Sequence, residues 1–346
     1  MNKTMNDFTH KLLFVALVTF ISFKVHAAPT QKFAQLGDFK LENGKVIKNC
    51  IVGYHTWGKL NANRNNAVLI LTWLEGNSHD LLYLTGPGMI ADSTKYFVVA
   101  IDAFGNGVSS SPSNSKEQPN ESFPSFNIRD MVESQYYVVT KVLELNHMFC
   151  VMGISMGGMQ TFQWLVSHPK FMDKAVVEVG SPKLTSNDLM LWNSELLAIE
   201  EGITCKASRE SIAKTVAAIH TLNLQTPDYY VDHISPEEFP KYLMDTESDF
   251  AKIFNPYNWM SQLNAMITHN ISYQFDNDIK KTAAVVKTKV FIVVSKQDHM
   301  VNPRPAIDFA KLIKAETLEL DNNCGHYAVG CEMQKTVDAI NKFMND

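Results

Sequence analysis

Ser155 stands in the run CVMGISMGGMQTF (150–162), between Gly153 and Gly157 and directly behind an apolar stretch. A serine hydroxyl is a weak nucleophile until a base takes its proton, so its chemistry depends on partners placed elsewhere in the chain. Downstream, VFIVVSKQDHMVNP puts Asp298 just past an apolar run, and DNNCGHYAVG puts His326 on a polar loop before the last helical stretch. The order Ser, Asp, His is the one expected when a G-x-S-x-G turn links a strand to a helix at a sheet edge. His326 would then take the Ser155 proton and later return it to the leaving group. Asp298 would hold the imidazole tautomer and stabilise the imidazolium. The chemistry implied is acyl transfer through a covalent acyl-serine.

Such a site also needs two N–H donors aimed at the developing oxyanion. Met156, the residue after the nucleophile, is one. The loop TWLEGNSHD after the first central strand should supply the other, with Leu74 the expected donor and Trp73 or Glu75 one residue off. The rival acids and bases fit less well. His299 adjoins Asp298 and so points elsewhere; Asp321 is too near His326 along the chain; Asp102 lies upstream of the serine. His79 and Asp80 could touch substrate or serve only their loop.

These groups need a sheet to position them. Ala67–Leu71, Tyr96–Ile101, Met148–Met152, Ala175–Val179, Val290–Val294 and Thr317–Leu320 are short and strand-like, most of them continuously apolar as in strands buried on both faces. Helical spacing of apolar residues appears over Met131–Leu145, Met159–Val166, Ala306–Ile313 and Met333–Phe343. The alternation predicts an α/β fold: a mostly parallel, twisted sheet flanked by helices. VIKNCIVGYHTW (46–57) alternates instead and reads as an antiparallel edge strand. Between about 181 and 286 the alternation stops, and a helix-rich, aromatic stretch reads as a cap over the carboxyl ends of the strands, where ligands collect. The expected division is a core over 28–180 and 287–346, with the cap or lid at 181–286. Trp192, Tyr257 and Trp259 in the cap suggest an apolar acyl or alcohol group, or simply core packing.

The chain has 346 residues and a net charge of −5, with no run of like charges, so nothing points to a nucleic-acid partner. Lys3 and Lys11 lead into the apolar run Leu12–Phe23, followed by Val25-His26-Ala27. A dozen apolar residues are too few to span a bilayer, where about 20 are needed, and the pattern fits a secretory signal peptide over 1–27. The expectation is export, periplasmic or secreted, with no stable membrane insertion. Of the five cysteines, Cys324 and Cys331 bracket His326. An oxidising compartment would permit a disulfide between them, and two free thiols is the alternative.

The stretches VGYHTWGKLNANRNNAVLIL, GPGMIADSTKYFVVAIDAFGNGVSSSPSN, FPSFNIRDMVESQ and above all GISMGGMQTFQW resemble the homoserine O-acetyltransferase family of α/β-hydrolase-fold proteins. The resemblance covers nearly the whole chain after residue 27. It implies the α/β-hydrolase fold, the triad Ser155, Asp298 and His326, the oxyanion pair Leu74 and Met156, and a helical lid; it also makes a homodimer possible. Two departures bear on the reaction. Those enzymes read His-Ala-Leu-Thr-Gly where this chain has Thr72-Trp73-Leu74-Glu75-Gly76. They also carry a lid arginine for the substrate carboxylate, whereas no arginine occurs between Ser181 and Ser208 and Leu196 falls near that place. Lys183 is a cation that could substitute, without the fork geometry of a guanidinium. The chain looks like an exported hydrolase branch that cleaves a small ester, less readily an amide. The alternatives are an acyltransferase moving an acyl group from acyl-CoA to an alcohol such as homoserine, and a non-catalytic binding protein on the same fold. The mechanism calls for no metal and no cofactor.

Overall fold

The computed structural model describes residues 30–346; the segment read as a signal peptide lies outside the described residues. Eight strands form one sheet: β1 (Lys32–Lys40), β2 (Val46–Trp57), β3 (Ala67–Leu71), β4 (Phe97–Ile101), β5 (Met148–Ile154), β6 (Met172–Glu178), β7 (Lys289–Ser295) and β8 (Glu316–Leu320). Their spatial order is β1-β2-β4-β3-β5-β6-β7-β8. From β4 to β8 every pairing is parallel, and β2 runs antiparallel to both β1 and β4. Every residue of β3 is buried, as expected of a strand covered by helices on both faces.

One expectation about the sheet is corrected. The 46–57 strand is antiparallel but not at the edge; β1 lies outside it. β1 was not legible as a strand because its outward position leaves most of its residues exposed or half-exposed, with polar side chains at both ends and Gly37 at a bulge.

The helices are α1 (Ile128–Tyr137), α2 (Met156–Ser167), α3 (Ser186–Thr204), α4 (Arg209–Leu224), α5 (Pro227–His233), α6 (Phe239–Ile253), α7 (Pro256–Ile267), α8 (Ile279–Val285), α9 (Arg304–Ile313), α10 (Ala328–Cys331) and α11 (Met333–Asn345). Capping residues set several boundaries. Asn127 with Asp130 and Thr185 with Asp188 close capping boxes on α1 and α3, while Asn255 followed by Pro256 starts α7. Six of the helices, α3 to α8, fall between β6 and β7, so the chain leaves the sheet after Glu178 and returns at Lys289. No helix among the described residues is long and apolar enough to cross a membrane.

Candidate active site

The turn from β5 into α2 is shaped by two glycines. A Cβ on Gly157 would lie 2.3 Å from the backbone oxygen of Leu71, and one on Gly153 would lie 2.3 Å from that of Gly157. Only hydrogen fits at either place. Ser155, between them, takes φ 57° and ψ −119°, a conformation that a side-chain-bearing residue rarely adopts. Its N–H is held by the Glu178 backbone oxygen at 2.9 Å, and it forms the N-cap of α2. The first N–H groups of that helix, Met156 included, therefore surround the hydroxyl with positive dipole ends.

The structure brings the three residues singled out in the sequence into one line. His326 Nε2 lies 2.9 Å from Ser155 Oγ, and His326 Nδ1 lies 2.7 Å from Asp298 Oδ2. The other carboxylate oxygen of Asp298 accepts the N–H groups of Met300 and Val301, both at 2.9 Å. Because a carboxylate can only accept, Nδ1 carries the proton and Nε2 faces the hydroxyl as an acceptor. His299 is exposed and turned away, and Asp321 lies outside with Lys296 and Gln297. Asp102 accepts Ser78 N–H (2.7 Å), Ser78 Oγ–H (2.7 Å) and Asn106 Nδ2 (3.1 Å), so it braces the loop after β3.

That loop carries Trp73, Leu74 and Glu75. The Glu75 N–H donates to Gln262 Oε1 at 2.7 Å, and Gln262 Nε2 in turn donates to the Phe104 oxygen at 2.8 Å. Glu75 is therefore removed as an oxyanion donor, its N–H already being committed. Gln262, on α7, ties the insertion to both loops at the sheet edge. Nothing in the sequence distinguished it from the other residues of an amphipathic helix.

The loop bearing His326 is fastened from two sides. A Cys324–Cys331 disulfide spans it, which decides between the two states left open by the spacing. The turn between α4 and α5 also grips it, with Thr226 Oγ1 donating to the Asn323 oxygen at 2.7 Å.

Ser155 and His326 open into a cavity of about 670 Å³ walled by both the sheet-edge loops and the α3, α4, α6 and α7 helices. Trp192 and Trp259 line it. Tyr257 does not, since its hydroxyl donates to Glu121 instead. Asp80 lines it and the exposed His79 does not. Lys183 is exposed and absent from the lining, which overturns it as a stand-in for an arginine. The ionisable side chains of the lining are Glu75, Asp80, Asp249, Tyr83, Tyr242, Tyr327, His220 and His326, with neither lysine nor arginine. Burial raises the Glu75 carboxyl well above its usual range, and its Oε1 has no partner among the described residues. Beneath the site, burial pushes the Glu178 carboxyl up to about 8. Burial, with that carboxyl nearby, raises the Tyr83 phenol to about 12. Among the described residues no group of three or more His, Cys, Asp or Glu is arranged to hold a metal ion.

Comparison with known proteins identifies the fold family. The family model described as alpha/beta hydrolase fold matches residues 74–330. An ethyl acetate hydrolase of Pseudomonas veronii is 24% identical over 322 residues, covering 88% of this chain and 92% of the relative. A homoserine O-succinyltransferase of Neisseria gonorrhoeae is 26% identical, with 88% and 92% covered. The solved structure of an acetylester hydrolase from Corynebacterium glutamicum superposes with a TM-score of 0.83 at 24% identity, over 91% of this chain and 95% of that one. With the family model spanning well over half its length, the chain is an enzyme of the α/β-hydrolase fold family.

Proposed function

We propose that the protein hydrolyses a small uncharged ester through an acyl-Ser155 intermediate. Ser155 Oγ attacks the carbonyl carbon as His326 Nε2 takes its proton, and Asp298 stabilises the imidazolium so formed. The N–H groups of Leu74 and Met156 hold the tetrahedral oxyanion. Collapse of that intermediate breaks the ester bond, and His326 gives the proton to the departing alcohol. A water activated by the same imidazole then attacks the acyl-serine, releasing the acid and restoring the hydroxyl. The helices of 181–286 act as a lid that selects what reaches the serine.

One observation carries the choice of an uncharged ester over an acid or an acyl-CoA: the cavity is lined by the acidic side chains of Glu75, Asp80 and Asp249 and by no lysine or arginine. A substrate carboxylate buried there would lack the guanidinium or ammonium that makes such burial affordable. This weighs against homoserine as acceptor, although a homoserine O-succinyltransferase is among the similar proteins. The similarity to a protein named ethyl acetate hydrolase supports the reading. Export through residues 1–27 belongs to the same proposal, since acetyl-CoA is a cytosolic metabolite while water is available everywhere. It predicts a mature chain beginning at Ala28 in the exported fraction.

A fluorophosphonate probe should label the protein, and Ser155→Ala should abolish the label. Hydrolysis of short acyl esters should then exceed acetyl-CoA-dependent acetylation of homoserine. Efficient transfer with negligible hydrolysis would overturn the esterase reading.

A further inference from the structure

The loop after β3 makes a tight turn at Leu74, the expected second oxyanion donor. The Gly76 N–H donates to the Trp73 oxygen at 3.0 Å, closing a four-residue turn over Trp73, Leu74, Glu75 and Gly76. Glu75, third in the turn, has φ 59°, while Leu74 keeps a negative φ. That is the pattern of a type II turn, whose third position ordinarily takes glycine. A glutamate there is strained, and rotating the Leu74–Glu75 peptide into the commoner type I turn would relieve it. Gln262, on α7 and 0% exposed, accepts the N–H of this same peptide at 2.7 Å. Its amide cannot swap ends, because Nε2 donates to the Phe104 oxygen at 2.8 Å and a carbonyl can only accept. Asn106 Nδ2 holds the Gly76 oxygen at 3.0 Å, and Gln160 Nε2 the Thr72 oxygen at 2.9 Å. Those two bonds fix the outer peptides and leave the central one to Gln262. The Trp73 carbonyl points into the turn, so the Leu74 N–H, across a trans peptide, points out of it. That N–H has no acceptor among the described residues, and Leu74 lines the cavity with Ser155.

We propose that Gln262 is a positioning residue for the oxyanion hole: by clasping the Glu75 N–H it selects the turn that aims the Leu74 N–H. The 181–286 insertion then serves the chemistry as well as access to it. The proposal deepens the esterase reading and rests on it. Without the clasp the central peptide rotates, Glu75 relaxes to negative φ, and ψ of Leu74 turns with it. When Ser155 Oγ bonds to the ester carbon, the carbonyl π pair moves onto an oxygen with the Met156 N–H in place and the Leu74 N–H displaced. A donor off its mark by an ångström forfeits much of its effect on the transition state. Fastening the insertion to the sheet would account for the bond to Phe104. It does not account for a second bond spent on the one peptide that holds a glutamate at positive φ.

Gln262→Met keeps the bulk of the side chain and removes both bonds. With short acetate esters it should lower kcat by about 10- to 100-fold and leave KM within about threefold of wild type. A trifluoromethyl ketone, whose carbonyl becomes an oxyanion when Ser155 Oγ adds to it, should lose affinity by a similar factor. The decisive comparison repeats the substitution in a Glu75→Gly background. Glycine takes positive φ freely, so the turn should hold its shape unaided. Glu75→Gly/Gln262→Met should then fall only a few-fold below Glu75→Gly, a coupling that independent sites would not show. Thermal midpoints establish that each variant is folded. Where Gln262→Met gives no soluble protein, Gln262→Ala takes its place, leaving room for water to reach the two backbone groups. An unchanged kcat, a loss confined to KM, ketone affinity that does not follow kcat, or an equal loss in both backgrounds would overturn the role of Gln262 and leave the esterase reading intact. A wild type that hydrolyses no ester would sink both.

Discussion

Glu178 ends β6 beside the nucleophile, and its backbone oxygen holds the Ser155 N–H while its carboxyl is buried at 2% exposure. Oε1 has no partner among the described residues, and burial pushes this acid up to about 8 from its usual 4.5. The folded protein therefore keeps a proton that the unfolded chain releases above about pH 4.5. Stability is fully present below that pH and falls as pH rises towards 8, because there the unfolded state binds fewer protons. At about 1.4 kcal/mol per pKa unit, Glu178 alone removes roughly 3 kcal/mol between pH 5 and pH 8. Against a total stability of about 5–15 kcal/mol, that is a large share. Glu178→Gln keeps the shape and abolishes the titration. The amide brings a constant cost of its own, so the quantity to compare is the pH slope. Urea unfolding followed by tryptophan fluorescence at pH 5, 6, 7 and 8 measures it for both proteins. The stability of the variant relative to wild type should rise by ~3 kcal/mol across that range. Glu75, raised in the same direction, is present in both proteins and cancels. Parallel profiles would refute the reasoning: the carboxyl would then have water or a partner, and its burial would not be what governs it.

Three further outcomes follow from the same geometry. His326→Ala and Asp298→Asn should each lower kcat by roughly 10³- to 10⁴-fold, whereas His299→Ala should stay within a few-fold of wild type; steady-state ester hydrolysis reads all three. Gly157→Ala drives a methyl into the Leu71 backbone oxygen, which cannot move without shifting the central strand. It should cost at least about 3 kcal/mol, seen as a lowered thermal midpoint or loss of soluble protein. Cys324→Ser/Cys331→Ser opens a loop with a sequence separation of 7 and should lower stability by ~2 kcal/mol. Dithiothreitol should lower the wild-type midpoint by a similar amount and leave the double variant unchanged.

Much of the scaffold is written locally. Five of the six strand-like runs correspond to β3 to β7 because a strand buried on both faces has to be apolar along its whole length, while the sixth corresponds to β8, an edge strand whose residues are mostly exposed. The Ser155 turn shows itself in three glycines after such a run, since close backbone packing leaves room for nothing larger. Asp298 and His326 could be named because each follows a strand that had already been located.

Other features depend on which surfaces meet, and that is not a local property. β1 is polar enough to pass for loop until β2 pairs with it. Tyr257 and Trp259 sit two residues apart on one helix, yet Tyr257 reaches Glu121 and Trp259 faces the cavity. Lys183, the cation nearest to hand in the sequence, ends on the outside. Glu195, His220 and Trp259 lie on three helices, with a sequence separation of 25 for the first two and of 64 for Glu195 and Trp259. Periodicity says that a helix has a buried face; it cannot say that a carboxylate on one such face will find an imidazole and an indole on two others. Composition and short-range spacing determined the sheet and the nucleophile turn, because backbone sterics and two-sided burial act on neighbouring residues. The cavity's charge, its second histidine and the disulfide beside His326 were decided by tertiary packing alone, because hydrogen bonds and exclusion of water depend on distance in space and not along the chain.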